Sequence, residues 1–324
     1  MSDVRGNDKD KVFYLRGMMN SDSRIISVGG GKGGVGKSFF SSGLAIFIAN
    51  LGYDTLLIDL DLGAANLHTC IGEDTPPHSI HDFLTGKVAN FESLAVQTGH
   101  QNLRFISGSN DSYDMANITE DQKTLLMSSI FHTKADFIIL DLSAGTHSTT
   151  LDLFLMATHQ LITVTPDPSS VENAYRFIKS AFFRKMKRFE FQLNLGNLIS
   201  QLMANKSHNG IRSPADLLFY VSKQDPDNGE RLRNLMESMK IQIVLNQVRT
   251  MSDVTLGPSI ESVCRKYFGI KAQFLGHIDY DNAVWQSLRK KKHLLLEYPH
   301  SRIYAQMLGI ARTIVGPRKQ KAVV

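Results

Sequence analysis

The chain has 324 residues, with 36 Lys and Arg against 31 Asp and Glu, a formal charge of +5. At 42% hydrophobic and 21% charged residues, its apolar content rules out disorder as the general state. No apolar run approaches the roughly 18–20 residues that cross a bilayer. Cys70 and Cys264 are its two cysteines, and with no CxxC pair they exclude a disulfide scaffold and predict reduced thiols. The polar start MSDVRGNDKDK carries no signal-peptide pattern, so a cytoplasmic protein is expected. The mild basic excess permits nucleic acid or an acidic membrane as a partner.

In chain order, residues 1–23 have no apolar period and read as a tail or a short partner-binding helix. Ile25–Val28 is an apolar run followed by glycines, the outline of a buried parallel strand. Residues 38–51 have helical length and an apolar face, and Gly52 stops them. Further strands are predicted at Thr55–Ile58, ending in Asp59, and at Leu103–Ile106. Others follow at Phe137–Leu140, ending in Asp141, and at Leu161–Val164, ending at Pro166. The last two are Ile241–Leu245, ending in Asn246, and Ala272–Gly276. Short apolar strands alternating with helix-length segments predict an α/β fold: a doubly wound, mainly parallel sheet with helices on both faces. Residues 176–239 are too long for one crossover helix and read as an inserted helical element, with a polar break near Asn205–Ser213 and a turn at Asp225–Gly229. The expected organisation is one domain over 24–316 followed by a basic tail, 317–324.

The strongest motif is Gly31-Lys32-Gly33-Gly34-Val35-Gly36-Lys37-Ser38. It fits G-x-x-x-x-G-K-[ST] between a strand and a helix, the phosphate loop of a P-loop NTPase. Glycines let successive N–H groups point at phosphate oxygens, and the helix adds its positive end. The cradle is expected from Gly31 to Phe39, with Lys37 on the β- and γ-phosphates and Ser38 on Mg²⁺. Asp141, closing an apolar strand, would hold the Mg²⁺ shell. Gly145 would let a backbone N–H meet the γ-phosphate.

Lysine directly after the first glycine, KGGVGKS, resembles the deviant loop of the MinD/ParA family of dimerising ATPases. The segment Asp59-Leu60-Asp61-Leu62-Gly63-Ala64-Ala65-Asn66 resembles that family's D-x-D-x-G-x-x-N. The resemblance implies that Lys32 reaches the ATP of a partner subunit and that Asp59 sits near Mg²⁺ through water. It also implies that Asp61 orients the attacking water, that Asn66 lies near the dimer interface, and that Asn246 reads adenine. Within the family, Thr165-Pro166-Asp167-Pro168-Ser169-Ser170-Val171-Glu172-Asn173-Ala174-Tyr175 resembles the T-P-E-P-x-S-x-x-D-A-Y stretch of the flagellar-number regulators, the FlhG/FleN branch. Asp10, Leu15 and Arg16 match part of that branch's N-terminal helix.

The resemblance therefore implies an ATP- and Mg²⁺-dependent homodimer with slow, partner-stimulated hydrolysis. It would control the placement or number of a structure, flagella foremost, through a protein partner such as a flagellar GTPase or regulator. Polar or transient membrane or nucleoid association is compatible with this. A ParA-type DNA-partitioning ATPase and a MinD-type division-site regulator remain the alternatives. DNA or anionic lipid would meet the basic runs Arg184–Arg188 or Arg289–Lys292. The apolar stripe Ile303, Tyr304, Met307, Leu308, Ile310, Ala311, Ile314 and Val315 reads as core in preference to a membrane surface. An iron–sulfur protein on the same loop lacks its cysteine motif, and His78-x-x-His81 lacks a second metal-ligand pair.

Overall fold

The computed structural model describes residues 23–63, 65–108, 118–207 and 210–317. Eight strands form one sheet: β1 (Arg24–Gly29), β2 (Thr55–Leu60), β3 (Val96–Gln97), β4 (Leu103–Ile106), β5 (Phe137–Leu142), β6 (His159–Val164), β7 (Lys240–Val248) and β8 (Lys271–Asp279). Their order is β3-β4-β2-β5-β1-β6-β7-β8. Every pairing is parallel except β3 with β4. The seven expected strands are present. The addition is β3, whose two residues are too few to show a period.

The central strands are buried on both faces because helices cover both. Alternate residues feed two cores. Ile25, Leu56, Ile58, Ile138, Leu140 and Ile162 face one layer. Ile26, Val28, Leu57, Ile139 and Leu161 face the other. That second layer holds α1 (Lys37–Asn50) and α14 (Arg302–Val315), which pack on each other. The stripe on α14 is core, as expected: Ile303, Met307, Ile310, Ala311, Ile314 and Val315 are buried, and Met307 fills the space beside Gly43. Among the described residues no helix is long and apolar enough to cross a membrane.

Between β1 and β5 run α2 (Leu67–Ile71), α3 (Ile80–Leu84) and α4 (Glu120–His132); α5 (Ser148–Met156) joins β5 to β6. After β6, α6 runs without interruption over Pro168–Gln192, followed by α7 (Gly196–Ala204), α8 (Pro214–Gln224) and α9 (Pro226–Glu237). Asp225–Gly229 differs from the expected turn. Asp225 caps α9 by accepting from the Asn228 N–H at 3.1 Å, and Pro226 is its first residue. An Asp-Pro pair serves a helix start as well as a turn. The last elements are α10 (Met251–Val254), α11 (Leu256–Val263), a π-turn (Cys264–Phe268), α12 (Asn282–Arg289), α13 (Leu294–Glu297) and α14.

Because the sheet is parallel, the loops after β1, β2, β5, β6, β7 and β8 share one edge. From β1 the chain leaves toward β2, and from β6 toward β7 on the other side. Ligands of open α/β sheets bind at such a reversal, and the glycine loop lies there.

Candidate nucleotide site

The glycine loop bridges β1 and α1, and its geometry explains its composition. Gly36 has φ of 86°, in the left-handed region, and a Cβ there would lie 2.1 Å from Asn246 Nδ2. A Cβ on Gly31 would lie 2.1 Å from the Asn173 carbonyl oxygen, so α6 backs the loop at contact distance. Gly33 and Gly34 are exposed, Val35 is buried, and Lys37 opens α1 as a buried cation. Phe39 is buried and stacks on His293, with ring centroids 5.2 Å apart.

Asp59 and Asp141 lie side by side in register on β2 and β5, and both are sealed from solvent. Asp141 accepts from the Ser41 hydroxyl at 2.7 Å and also from Ser38. Burial pushes its pKa up to about 6 against those bonds and the Lys37 charge. Burial, and then the neighbouring Asp141, push Asp59 up to about 8. Two adjacent buried carboxylates beside a serine hydroxyl suit a hard divalent cation that keeps waters and phosphate oxygens in its shell. The residues therefore fit Mg²⁺. Among the described residues there is no cluster of three or more His, Cys, Asp or Glu that could hold a metal, and this includes the His78–His81 spacing.

Asp61 is half-buried, its N–H bonded to Asp59 Oδ1 at 3.0 Å, and Asn66 is exposed. Gly145, at φ 93°, donates its N–H to the Gly30 carbonyl at 3.4 Å, so the loop after β5 touches the glycine loop. Lys32 folds back on its own chain, donating to Asp167 Oδ1 at 2.9 Å and Ser169 Oγ at 2.8 Å. Asp167 also caps α6, accepting from the Ser170 N–H at 2.9 Å. Hydrogen bonds from Thr165, Lys32 and Ser169 hold its carboxyl well below the usual range.

Asn246 is buried at the end of β7 and donates from Nδ2 to the Val35 carbonyl at 2.9 Å. Beside it, Gln247 adopts φ of 59° and donates to the Gly34 carbonyl at 3.1 Å. Both amides tie β7 to the glycine loop. Past them opens a groove of about 410 Å³ lined by Val248, Arg249, Thr250, Met251, Asp279, Tyr280 and Arg302, with the Arg249 guanidinium 3.9 Å over the Tyr280 ring. The structure thus brings Gly31, Lys32, Gly33, Gly34, Val35, Gly36, Lys37, Ser38, Phe39, Asp59, Asp61, Asp141, Gly145 and Asn246 to one edge of the sheet. Sequence reasoning missed Ser41, Gln247 and His293. Ser41 stands four residues after Lys37, hence on the same helix face, and that spacing was the available signal.

A family model described as the CobQ/CobB/MinD/ParA nucleotide binding domain matches residues 26–295. The chain belongs to this family. Its MinD/ParA members are P-loop ATPases. The chain is 23% identical over 293 residues to the antiactivator FleN of Pseudomonas aeruginosa, covering 90% of this chain and 86% of that one. It is 29% identical over 214 residues to the flagellum site-determining protein YlxH of Helicobacter pylori, covering 63% and 66%. Among solved structures, the septum site-determining MinD of Pyrococcus horikoshii, complexed with Mg-ADP, superposes with a TM-score of 0.61 at 18% identity, over 90% of this chain and 96% of that one.

In the basic run Arg184–Arg188, three of the four cations are engaged within the chain. Arg184 is bidentate to buried Asp152 at 2.8 and 2.7 Å, and Arg188 bonds the same carboxylate. Lys185 donates to Ser238 Oγ at 2.9 Å, leaving Lys187 exposed. In the second run, Arg289 stacks on Trp285, and Lys290 and Lys292 pair with Glu297 at 3.1 and 3.6 Å. The Asp10–Arg16 match lies outside the described residues.

Proposed function

We propose that this chain is an ATP-dependent switch ATPase. ATP binds at the carboxyl edge of the sheet, two chains pair around the nucleotides, a partner protein recognises the pair, and slow hydrolysis resets it. The observation that carries this reading is Lys32, a second lysine at the phosphate cradle beyond Lys37. Its own chain parks it on Asp167 and Ser169, and its side chain is about one-third exposed. A lysine needed only for its own phosphates would duplicate Lys37. One parked at the surface, away from its own phosphate cradle, is available to a second subunit.

Residues 31–39 cradle the phosphates, with Lys37 on the β- and γ-phosphates. Ser38, Asp141 and, through water, Asp59 face the metal, and Mg²⁺ when bound neutralises charge on the phosphate oxygens. Asp61 orients the water. Gly145 offers its N–H to the γ-phosphate in place of the 3.4 Å bond to Gly30. Asn246, with Nδ2 taken by the glycine loop, would meet adenine through its carbonyl oxygen, which accepts from the exocyclic amine. The groove beside it, with Tyr280 and Arg249, takes the base.

The cargo most in keeping with the FleN and YlxH likeness, and with the TPDPSSVENAY stretch, is the flagellum. The partner is then a flagellar GTPase or transcription regulator, and the protein works in the cytoplasm and at the cell pole. The engagement of Arg184 and Arg188 by Asp152 weighs against the DNA-partitioning alternative. Light scattering coupled to size exclusion tests the switch with the hydrolysis-blocked Asp61→Ala variant. Expected is a dimer with ATP and a monomer with ADP; a monomer that binds ATP refutes it. Adding Lys32→Ala should abolish the dimer while sparing ATP binding. Affinity capture with the ATP-locked form then identifies the partner.

A further inference from the structure

The ends of β7 and β8 are out of step. Leu245 pairs with His277 and Val248 with Asp279, so Asn246 and Gln247 stand opposite the single residue Ile278. Such bulges re-aim side chains at the rim of a sheet. Here Asn246 is turned onto the glycine loop, and Asp279 lines the groove beside it. The backbone around Asp279 is tied from both sides. Its own N–H donates to Gln306 Oε1 on α14 at 3.0 Å, and the Tyr280 N–H donates to the Val248 carbonyl at 2.8 Å. Its carboxylate keeps looser company. His277 Nε2 lies 3.5 Å from Oδ1 and Arg302 Nη1 lies 3.6 Å from Oδ2, both longer than an ordinary N–H···O bond. The side chain is 25% exposed, so these oxygens retain acceptor capacity toward the groove.

The edge of the groove therefore presents two acceptors. An ionised carboxylate only accepts, and Asn246 uses Nδ2 on the Val35 carbonyl, which leaves Oδ1 as its acceptor. The 6-amine of adenine carries two N–H groups on one atom. A 6-oxo purine carries lone pairs at that place and sets oxygen against oxygen. The Arg249 guanidinium, 3.9 Å over the Tyr280 ring, offers a flat surface for stacking, and stacking is tolerant of base identity. We propose that Asp279 is a specificity-determining residue for the base. Its carboxylate accepts one N–H of the adenine 6-amine while Asn246 Oδ1 accepts the other, and it turns away 6-oxo purines. This rests on the reading of the groove as the base site of an ATPase.

Titration calorimetry in Mg²⁺ tests it with ADP and inosine diphosphate, which differ at position 6 and in the proton on N1. Wild type should bind ADP at least about tenfold more tightly. In Asp279→Asn the carboxamide can turn its NH₂ toward a 6-oxygen, so inosine diphosphate should bind at least about tenfold more tightly than it does to wild type. In Asp279→Ala, ADP should lose about tenfold while inosine diphosphate does not weaken. A residue that merely props the loop would lower both affinities together and keep their ratio. An unchanged ratio in the two variants overturns the proposal. Equal binding of both diphosphates by wild type also overturns it and leaves the ATPase reading standing. If wild type binds neither, the ATPase reading fails and this assignment falls with it.

Discussion

Asp152 offers the sharpest energetic test. It sits on α5 at 2% exposure, bonded to Lys123 at 2.8 Å, bidentate to Arg184, and bonded to Arg188. Burial pushes its carboxyl up, but hydrogen bonds from Arg184 and Lys123 and the Arg188 charge outweigh this and hold it at about 2. The folded pKa is depressed, so the stabilisation is present above the ordinary carboxylate value and is lost as pH falls from about 4 to about 2. That depression is worth about 2.5 kcal/mol at neutral pH. Asp152→Asn at pH 7 also leaves Lys123 buried with Glu120, 2.5 Å away, as its remaining ion partner. Breaking a buried pair costs about 3–5 kcal/mol. Arg184 and Arg188 are one-third exposed and recover some hydration, which places the expectation near 3 kcal/mol. Urea denaturation of both proteins at pH 7 and pH 2.5 measures it. The gap should be about 3 kcal/mol at pH 7 and shrink by about 1.6 kcal/mol at pH 2.5. A gap below about 1 kcal/mol at pH 7, or one independent of pH, refutes the reasoning.

Three other outcomes are expected. Gly36→Ala places a methyl against Asn246 Nδ2 at a φ of 86° and should lower stability by about 1–3 kcal/mol and weaken nucleotide binding more than tenfold, read by denaturation and nucleotide titration. Burial holds His293 down at about 4, so the folded protein keeps it neutral; stability should fall by about 3 kcal/mol as pH drops from about 6.5 to about 4, and His293→Gln should remove that slope from urea midpoints. Met307→Ala empties the space beside Gly43 and should cost about 2–5 kcal/mol; a thermal melt like that of wild type would place the α14 stripe outside the core.

The parts of the molecule readable from sequence are those with a short-range signature. Ile25–Val28 and Phe137–Leu140 announce buried parallel strands by unbroken apolar runs, and the glycine loop announces itself by residue types at fixed spacing. What was unreadable depends on distance along the chain. Asp152 hides in the apolar stretch Leu151–Met156, and its partners on α6 are 32 and 36 residues away. Nothing local distinguishes a basic run that faces water from one folded onto a buried acid. The parking of Lys32 spans 135 residues and needs the loop after β6 to meet the loop after β1, a fact of strand order. Asp59 was legible as a strand-end carboxylate, but its bond from the Leu67 N–H follows from the path the chain takes back to that residue.

The continuity of α6 has a mechanical consequence. Its 25 residues make a rod about 37 Å long. One tip abuts the glycine loop at Asn173 and holds Lys32 through Asp167; the other leads into α7. Buried Phe177, Phe182, Met186 and Phe189 seat the rod in the core along its length, and the grip of Asp152 on Arg184 and Arg188 fixes it between its tips. The phosphate loop and the helices of residues 196–237 thus stand at opposite ends of one rigid helix.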